Sequence, residues 1–165
     1  MELRTFRTWI EVRGRAVEHL QGLVSNWPPY VVKDMIYKGF KDKMDQAPDY
    51  LSKFAQWTGH QNPNDIKWSL HTIPIKLDLF DPNTKEMLED RIGGGVMTGT
   101  ANDAQRHATQ EKMIASEPSQ EPIIAAITPT GYTLFEGMHR TIQSLKKWPN
   151  GYQQKAWVFD SKNNL

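Results

Sequence analysis

Hydrophobic residues recur at helical spacing through most of the first 60 residues. The segment 15–24 places its apolar side chains on one face and predicts a helix. Pro28 and Pro29 follow Asn26 and suit the first turn of a second helix over residues 29–44. A third helix is predicted over residues 47–57, whereas 5–12 alternates weakly and leaves strand and helix open. We therefore predict a helical N-terminal subdomain over residues 1–60.

After the turn cluster at 60–65 the pattern changes to short apolar runs separated by glycine and proline. Pro74 lies within the first of these runs and favours an edge strand. The predicted strands cover 68–79, 123–127, 132–135 and 155–159, and the predicted helices follow residue 80 and cover 104–115 and 139–147. The glycine-rich run 93–100 lacks the spacing of a phosphate-binding loop and predicts a flexible connection. Residues 61–165 thus predict an α+β domain with a small mixed β-sheet and flanking helices.

Composition narrows the classes of protein that this chain can belong to. The chain has no cysteine, which excludes a disulfide scaffold, a thiolate zinc site and a cysteine nucleophile. Its formal net charge is only +1, so bulk attraction to nucleic acid is not indicated. No apolar stretch approaches the ~18 residues that span a bilayer, and the first residues contain no apolar signal segment. We expect a soluble, cytoplasmic protein with no membrane partner.

One polar turn in the second half has the residue types of an anion site. The sequence GYTLFEGMHRTIQSL, residues 131–145, predicts a strand, a tight turn and a helix. A helix start exposes unpaired N–H groups and a partial positive charge, and Gly137 permits close approach of a ligand to the backbone. Arg140 and His139 add donors, and Glu136 can accept a proton or hold a metal ion. The alternative is structural, with Glu136 as a helix-dipole partner or an ion-pair partner of Arg140.

The stretch PIIAAITPTGYTLFEGMHRTIQ resembles the core of the ParB/sulfiredoxin-like superfamily. The resemblance includes a proline-led strand at Pro122, a hairpin, and a G-x-H-R turn that opens a helix. Upstream, LHTIPIKLDL resembles the first strand of that superfamily, so the similarity covers about residues 68–159. The resemblance implies that residues 61–165 form a ParB/sulfiredoxin-like domain that binds the phosphates of a nucleotide at this turn.

The resemblance also assigns roles to individual residues. It implies that Glu136 and His139 are catalytic and that Glu136 holds a metal ion. The residues that it implies for nucleotide binding are Gly137, Met138, His139, Arg140, Thr141, Arg106 and Thr109. Sulfiredoxins have a catalytic cysteine at the place of Met138, so sulfinic-acid reductase chemistry is excluded here. The implied ligands are ATP or CTP together with Mg²⁺.

Three functions remain open at this point. The first is a nucleotide-binding phosphotransferase or NTPase, in which phosphate charge is stabilised at the turn. The second is a ParB-like DNA-binding protein, nuclease or DNA-modification-associated protein that uses the same groove for a DNA backbone. The third is a non-enzymatic ligand-binding or interaction module that has kept the fold.

Two further observations concern residues outside the turn. The histidines are scattered along the chain and predict no zinc site. Glu121 is a further carboxylate near the end of the sheet.

Overall fold

The computed structural model describes residues 3–94 and 118–165, with side chains described for 13–94 and 118–165. The chain forms two compact units, Met1–Trp68 and Ser69–Leu165. The sequence placed this boundary at residue 60, in the turn cluster. The predicted α+β fold is confirmed, because a helical N-terminal region precedes helices and a four-stranded mixed sheet.

The N-terminal unit contains three helices: α1 (Leu3–Leu23), α2 (residues 29–40) and α3 (Ala47–Trp57). Residues 5–12, which the pattern left open, are helical. The middle of α2, Val32–Tyr37, is a π-helical turn in which the Lys38 N–H donates to the Lys33 carbonyl five residues back. The helix ends before the predicted residue 44 because Lys43, at φ −150° and ψ 50°, leaves the helical region.

Trp27 lies at the centre of the core of the N-terminal unit. Its side chain is buried, and its indole N–H donates to the Pro63 carbonyl at 2.8 Å. The ring packs edge-on against Phe54 and Trp68, with centroid distances of 5.9 and 5.2 Å. Edge-to-face packing and a satisfied indole donor both favour this buried position. Trp27 therefore belongs to the core, whereas Trp57 is half exposed.

The C-terminal unit is built on a four-stranded sheet with the spatial order β1-β4-β2-β3. Its strands are β1 (Ser69–Ile75), β2 (Ile123–Thr128), β3 (Gly131–Glu136) and β4 (Tyr152–Asp160). β2 and β4 are parallel, and the other two pairs are antiparallel. Pro74 lies in the edge strand β1, as its missing N–H donor predicts. β1 ends at Ile75, because the next residues form a short 3₁₀ turn, Leu77–Leu79, with local hydrogen bonds.

Helices α4 (Pro82–Ile92) and α5 (Met138–Lys147) contribute the apolar side chains that cover one face of this sheet. The cluster that they form with the sheet contains Ile73, Ile75, Phe80, Leu88, Ile123, Ala125, Leu134, Ile142, Leu145, Tyr152, Ala156 and Val158. The side chains from β4 come from every second residue, as the two-residue period of a strand requires. This face, which we call the core face, therefore fixes where the start of α5 lies relative to β2.

Two further predictions fall wholly or partly outside the described residues. The predicted helix 104–115 lies outside them, as do residues 95–100 of the glycine-rich run. Across the described ranges, no helix is both long enough and apolar enough to cross a membrane.

Candidate functional site

The turn between β3 and α5 depends on glycine at position 137. Gly137 has φ 98° and ψ 21°, in the left-handed region, and it occupies the N-cap position of α5. A Cβ atom at this position would lie 2.6 Å from Cγ2 of Ile123, so the backbone packs directly onto β2. Since glycine has no side chain, no N-cap side chain satisfies the first N–H groups of α5. The start of α5 therefore has the backbone donors that an anion site needs.

A β-bulge precedes this turn and changes the direction of Glu136. Ala125 pairs with Leu134, but Ile124 pairs with Glu136, so Phe135 is the extra residue in β3. Residues that pair directly across antiparallel strands share a face. Leu134 and Ala125 belong to the core face, which places Glu136 and Ile124 on the opposite face. Without the bulge Glu136 would share the face of Leu134, because alternate residues of a strand do.

Arg140, in the first turn of α5, folds back onto the segment that leads into β2. Its Nη1 donates to the Glu121 carbonyl at 2.5 Å, and a weaker contact reaches the Pro122 carbonyl at 3.4 Å. Its Nη2 lies 3.5 Å from the Glu121 carboxylate. The Arg140 side chain is only 15% exposed, whereas the Glu121 side chain is 75% exposed. The guanidinium is thus held in one place by backbone carbonyls.

The charge of Arg140 is incompletely balanced by the described residues. A mostly buried cation normally has a carboxylate or a similar partner close by. Here the only carboxylate that forms an ion pair with Arg140 in the described ranges is Glu121, which is largely in solvent at 3.5 Å. The partial positive charge of the α5 start lies in the same turn and adds to this imbalance. An anion bound here would therefore be stabilised by both.

The other predicted ligands in the turn differ in how available they are. Thr141 is buried, and its hydroxyl donates to the Gly137 carbonyl at 2.8 Å, so it stabilises the helix start. Met138 packs against the core cluster, and His139 is half-buried. Of the predicted nucleotide-binding residues, Arg106 and Thr109 lie outside the described residues. The turn thus offers the backbone N–H groups, His139 and Arg140 as donors near one another in sequence and structure.

Three polar residues that the sequence analysis did not select lie beside the turn. Gln154 of β4 is buried, and its Nε2 donates to the Glu121 carbonyl at 2.8 Å, the acceptor that Arg140 also uses. Ser144 of α5 is also buried, and Tyr152 of β4 is 8% exposed. We call Arg140, Thr141, Ser144, Tyr152 and Gln154 the polar cluster.

Several buried atoms of the polar cluster have no hydrogen-bond partner within the described part of the chain. They are the Tyr152 hydroxyl, the Ser144 hydroxyl and Oε1 of Gln154. Leaving such a group unpaired costs about 1–3 kcal/mol, so polar atoms buried without a partner require a structural or functional reason. One signal in the sequence could have revealed Gln154. It stands between Tyr152 and Ala156 at the two-residue spacing of the core face, where an apolar residue is expected.

The Tyr152 phenol titrates far from its usual range. Burial raises its pKa to about 12, and the nearby Ser144 and Thr141 hydroxyls and the Arg140 charge lower it by smaller amounts. The two hydroxyls are close enough to influence the phenol, but neither forms a hydrogen bond of good geometry with it. A hydrogen bond requires both distance and angle, so proximity alone does not pair these hydroxyls with the phenol. Tyr152 therefore stays protonated and neutral at physiological pH.

The described residues contain no ready-made metal site. Across residues 13–94 and 118–165, no three histidine, aspartate or glutamate side chains come together as metal ligands. A nucleotide-bound Mg²⁺ needs only one or two protein carboxylates, so the predicted Mg²⁺ does not require such a cluster.

Comparisons with protein-family models, with curated proteins and with solved structures give no match to this chain. The resemblance to the ParB/sulfiredoxin-like superfamily therefore stays a prediction that rests on the residues quoted above.

Proposed function

We propose that residues 69–165 form a nucleotide-binding domain of ParB/sulfiredoxin-like type that transfers or hydrolyses a phosphoryl group. In this proposal the phosphates of ATP or CTP bind at the start of α5. The observation that carries the proposal is Arg140, a guanidinium that is 15% exposed and fixed by carbonyls. Within residues 13–94 and 118–165, it pairs only with a solvent-exposed carboxylate. It adjoins an uncapped helix start, which attracts the same kind of ligand.

The donors at the turn match the chemistry of a phosphate. Arginine offers five N–H donors, and the contacts of Arg140 with Glu121 and Pro122 engage only Nη1 and Nη2. The remaining donors, the N–H groups that follow Gly137 and the imidazole of His139 suit the non-bridging phosphate oxygens. Because the carbonyls already fix Arg140, it loses little side-chain entropy when it binds.

Phosphoryl transfer asks a protein mainly for positioning and charge stabilisation. In this proposal Arg140 and His139 stabilise the phosphate charge, and Glu136 orients the attacking hydroxyl or water or binds Mg²⁺. Nucleotide-bound Mg²⁺ supplies further charge neutralisation. Glu136 lies on the face opposite the core face, so the acceptor is expected to approach from that face.

Calorimetric titration of the full chain with ATP and with CTP, in the presence of Mg²⁺, tests this proposal. Arg140→Ala is expected to weaken binding at least about tenfold, since hydrogen bonds to charged groups contribute ~1.5–3 kcal/mol. Lys146→Ala is the matched control, because it removes one positive charge from an exposed position of the same helix. Its affinity should equal that of the wild type.

A second variant separates a binding role of Arg140 from a structural one. Glu121→Gln removes the competing carboxylate but leaves the carbonyl that holds Arg140. Because the ion pair is exposed on one side, we expect nucleotide affinity to rise by up to about fivefold. Two results contradict the proposal: no nucleotide binding by the wild type, or equal losses for Arg140→Ala and Lys146→Ala. Salt-sensitive binding of duplex DNA without nucleotide binding supports the DNA-binding alternative.

A further inference from the structure

A cavity in the N-terminal unit has the charge of an anion-binding site. It has a volume of about 480 Å³, within the range of small-molecule pockets. Within the described part of the chain, its charged lining contains the basic residues Arg13, Lys33, Lys38 and Lys41 and the acidic residues Asp34 and Asp42. Tyr37 also lines the cavity. We call this cavity the π-turn pocket. We propose that it binds a small molecule through a phosphate or diphosphate group.

The π-helical turn of α2 builds one wall of the pocket. Lys33, Asp34 and Tyr37 all lie within this turn, Val32–Tyr37, and Lys38 follows it immediately. π-helical turns are rare, give up regular α-helical hydrogen bonding and often occur at functional sites. The other side of the same turn is anchored in the core by Val32 and Ile36, which are completely buried. The pocket is therefore a fixed part of the N-terminal unit.

The charges of the lining favour a dianion. Among the described residues of the lining, four basic and two acidic side chains leave a net charge of +2. Asp34 is engaged by Lys38, with Nζ and Oδ1 3.4 Å apart, and its side chain is only 17% exposed. In the described part of the chain, Lys33 and Lys41 form no ion pair and are exposed at the rim. A phosphate with two negative charges would balance this excess, whereas a single carboxylate would not.

Inside the pocket, an arginine is stacked on an aromatic ring. The guanidinium carbon of Arg13 lies 5.7 Å from the centroid of the Tyr37 ring, a cation–π distance, and both side chains are half-buried. A guanidinium stacked on a ring is restricted in its motion, so the positive charge of Arg13 has a fixed place beside the lysines. Arg13 thus suits the floor of the site, and the exposed lysines suit its rim. This inference does not depend on the function proposed for the C-terminal unit.

The test is a site-resolved titration of the full chain with inorganic pyrophosphate, followed through the backbone amide signals in NMR. The wild type should show saturable shifts for residues 33–42. In Lys33→Ala/Lys41→Ala these shifts should need at least about tenfold more pyrophosphate, since two charge-assisted contacts are lost. Lys53→Ala is the matched control in the same unit, because Lys53 is exposed, pairs with Asp49 and does not line the pocket. Its titration should equal that of the wild type.

The outcomes separate this site from the start of α5. Shifts at 33–42 that the double variant weakens, with shifts at 137–140 unchanged, support the π-turn pocket. Absence of shifts at 33–42, or an equal loss in Lys53→Ala, overturns the proposal. If a duplex DNA oligonucleotide shifts residues 33–42 and pyrophosphate does not, the small-molecule proposal is also overturned. The lysines involved are exposed, so the fold of the double variant can be verified by its unchanged circular dichroism.

Discussion

The two candidate anion sites use their basic side chains in opposite ways. At the start of α5, Arg140 is mostly buried, and two backbone carbonyls fix it beside a glycine in the left-handed region. In the π-turn pocket, Lys33 and Lys41 are exposed at the rim of an open cavity. The first site belongs to the packing of its unit, so changes there affect stability as well as binding. The second site can lose Lys33 and Lys41 at little cost to the fold.

The largest expected difference between the sites concerns glycine. Gly137→Ala forces a side chain into the left-handed region and onto Ile123 at 2.6 Å, so we expect a loss of about 2–4 kcal/mol in the free energy of unfolding. Gly39→Ala, in α2 beside the π-turn pocket, meets no atom within 4 Å and should stabilise by about 0.5–1 kcal/mol. Denaturant unfolding of both variants measures the difference. Equal effects would show that the β3–α5 turn is not constrained as described.

The next effect concerns the buried phenol of the polar cluster. The pKa of Tyr152 is raised to about 12 from the usual 10, so its protonated form contributes stability that is complete below pH 10 and is lost between pH 10 and 12. Between pH 10 and 12 the free energy of unfolding of Tyr152→Phe should therefore fall by up to about 2–3 kcal/mol less than that of the wild type.

At pH 7 the free energy of unfolding of this variant should lie within about 1 kcal/mol of the wild-type value or exceed it. The reason is that the lost hydroxyl has no hydrogen-bond partner in the described part of the chain. Unfolding curves at pH 7, 10 and 12 measure both effects. Burial also raises the pKa of Tyr50 and Tyr132, and the variant retains both residues, so the difference reports Tyr152 alone. If Tyr152→Phe loses as much free energy of unfolding between pH 10 and 12 as the wild type does, the buried position of Tyr152 is contradicted.

The smallest expected difference concerns the stability that is lost when one basic side chain is removed from each site. Arg140→Ala deprives the Pro122 carbonyl of its side-chain donor, while Gln154 still donates to the Glu121 carbonyl, so we expect a loss of about 1–2 kcal/mol. Lys41→Ala removes an exposed side chain and should change stability by less than about 0.5 kcal/mol. Thermal unfolding of the two variants measures the contrast. If Lys41→Ala proves as destabilising as Arg140→Ala, the two sites do not differ in the way described.

The sequence predicted the fold well where periodicity was strong. The strands around 123–127 and 132–135 and the helix from about 139 are confirmed within a residue or two, because their apolar patterns are bounded by glycine and proline. The helical unit was predicted as well, including the helix 47–57. The π-helical turn was not, since its hydrogen bonds shift by one residue without changing the apolar pattern of Val32 and Ile36.

The candidate site was only partly predictable. The requirement for glycine at 137 follows from the strand–turn–helix pattern, and its left-handed conformation agrees with it. The direction of Glu136 does not follow from sequence, because a β-bulge is a property of the pairing between two strands. The same is true of the contacts of Arg140 with Glu121 and of the buried position of Gln154. Both depend on tertiary packing between segments that are 19 and 33 residues apart in the chain.

The most direct test of the central claim is a crystal structure of the full chain soaked with ATP and Mg²⁺. We predict phosphate density at the start of α5, within hydrogen-bond distance of the backbone N–H groups after Gly137 and of the Arg140 guanidinium. Saturating ATP with no phosphate at this turn, while Arg140 keeps its contacts with Glu121 and Pro122, would contradict it.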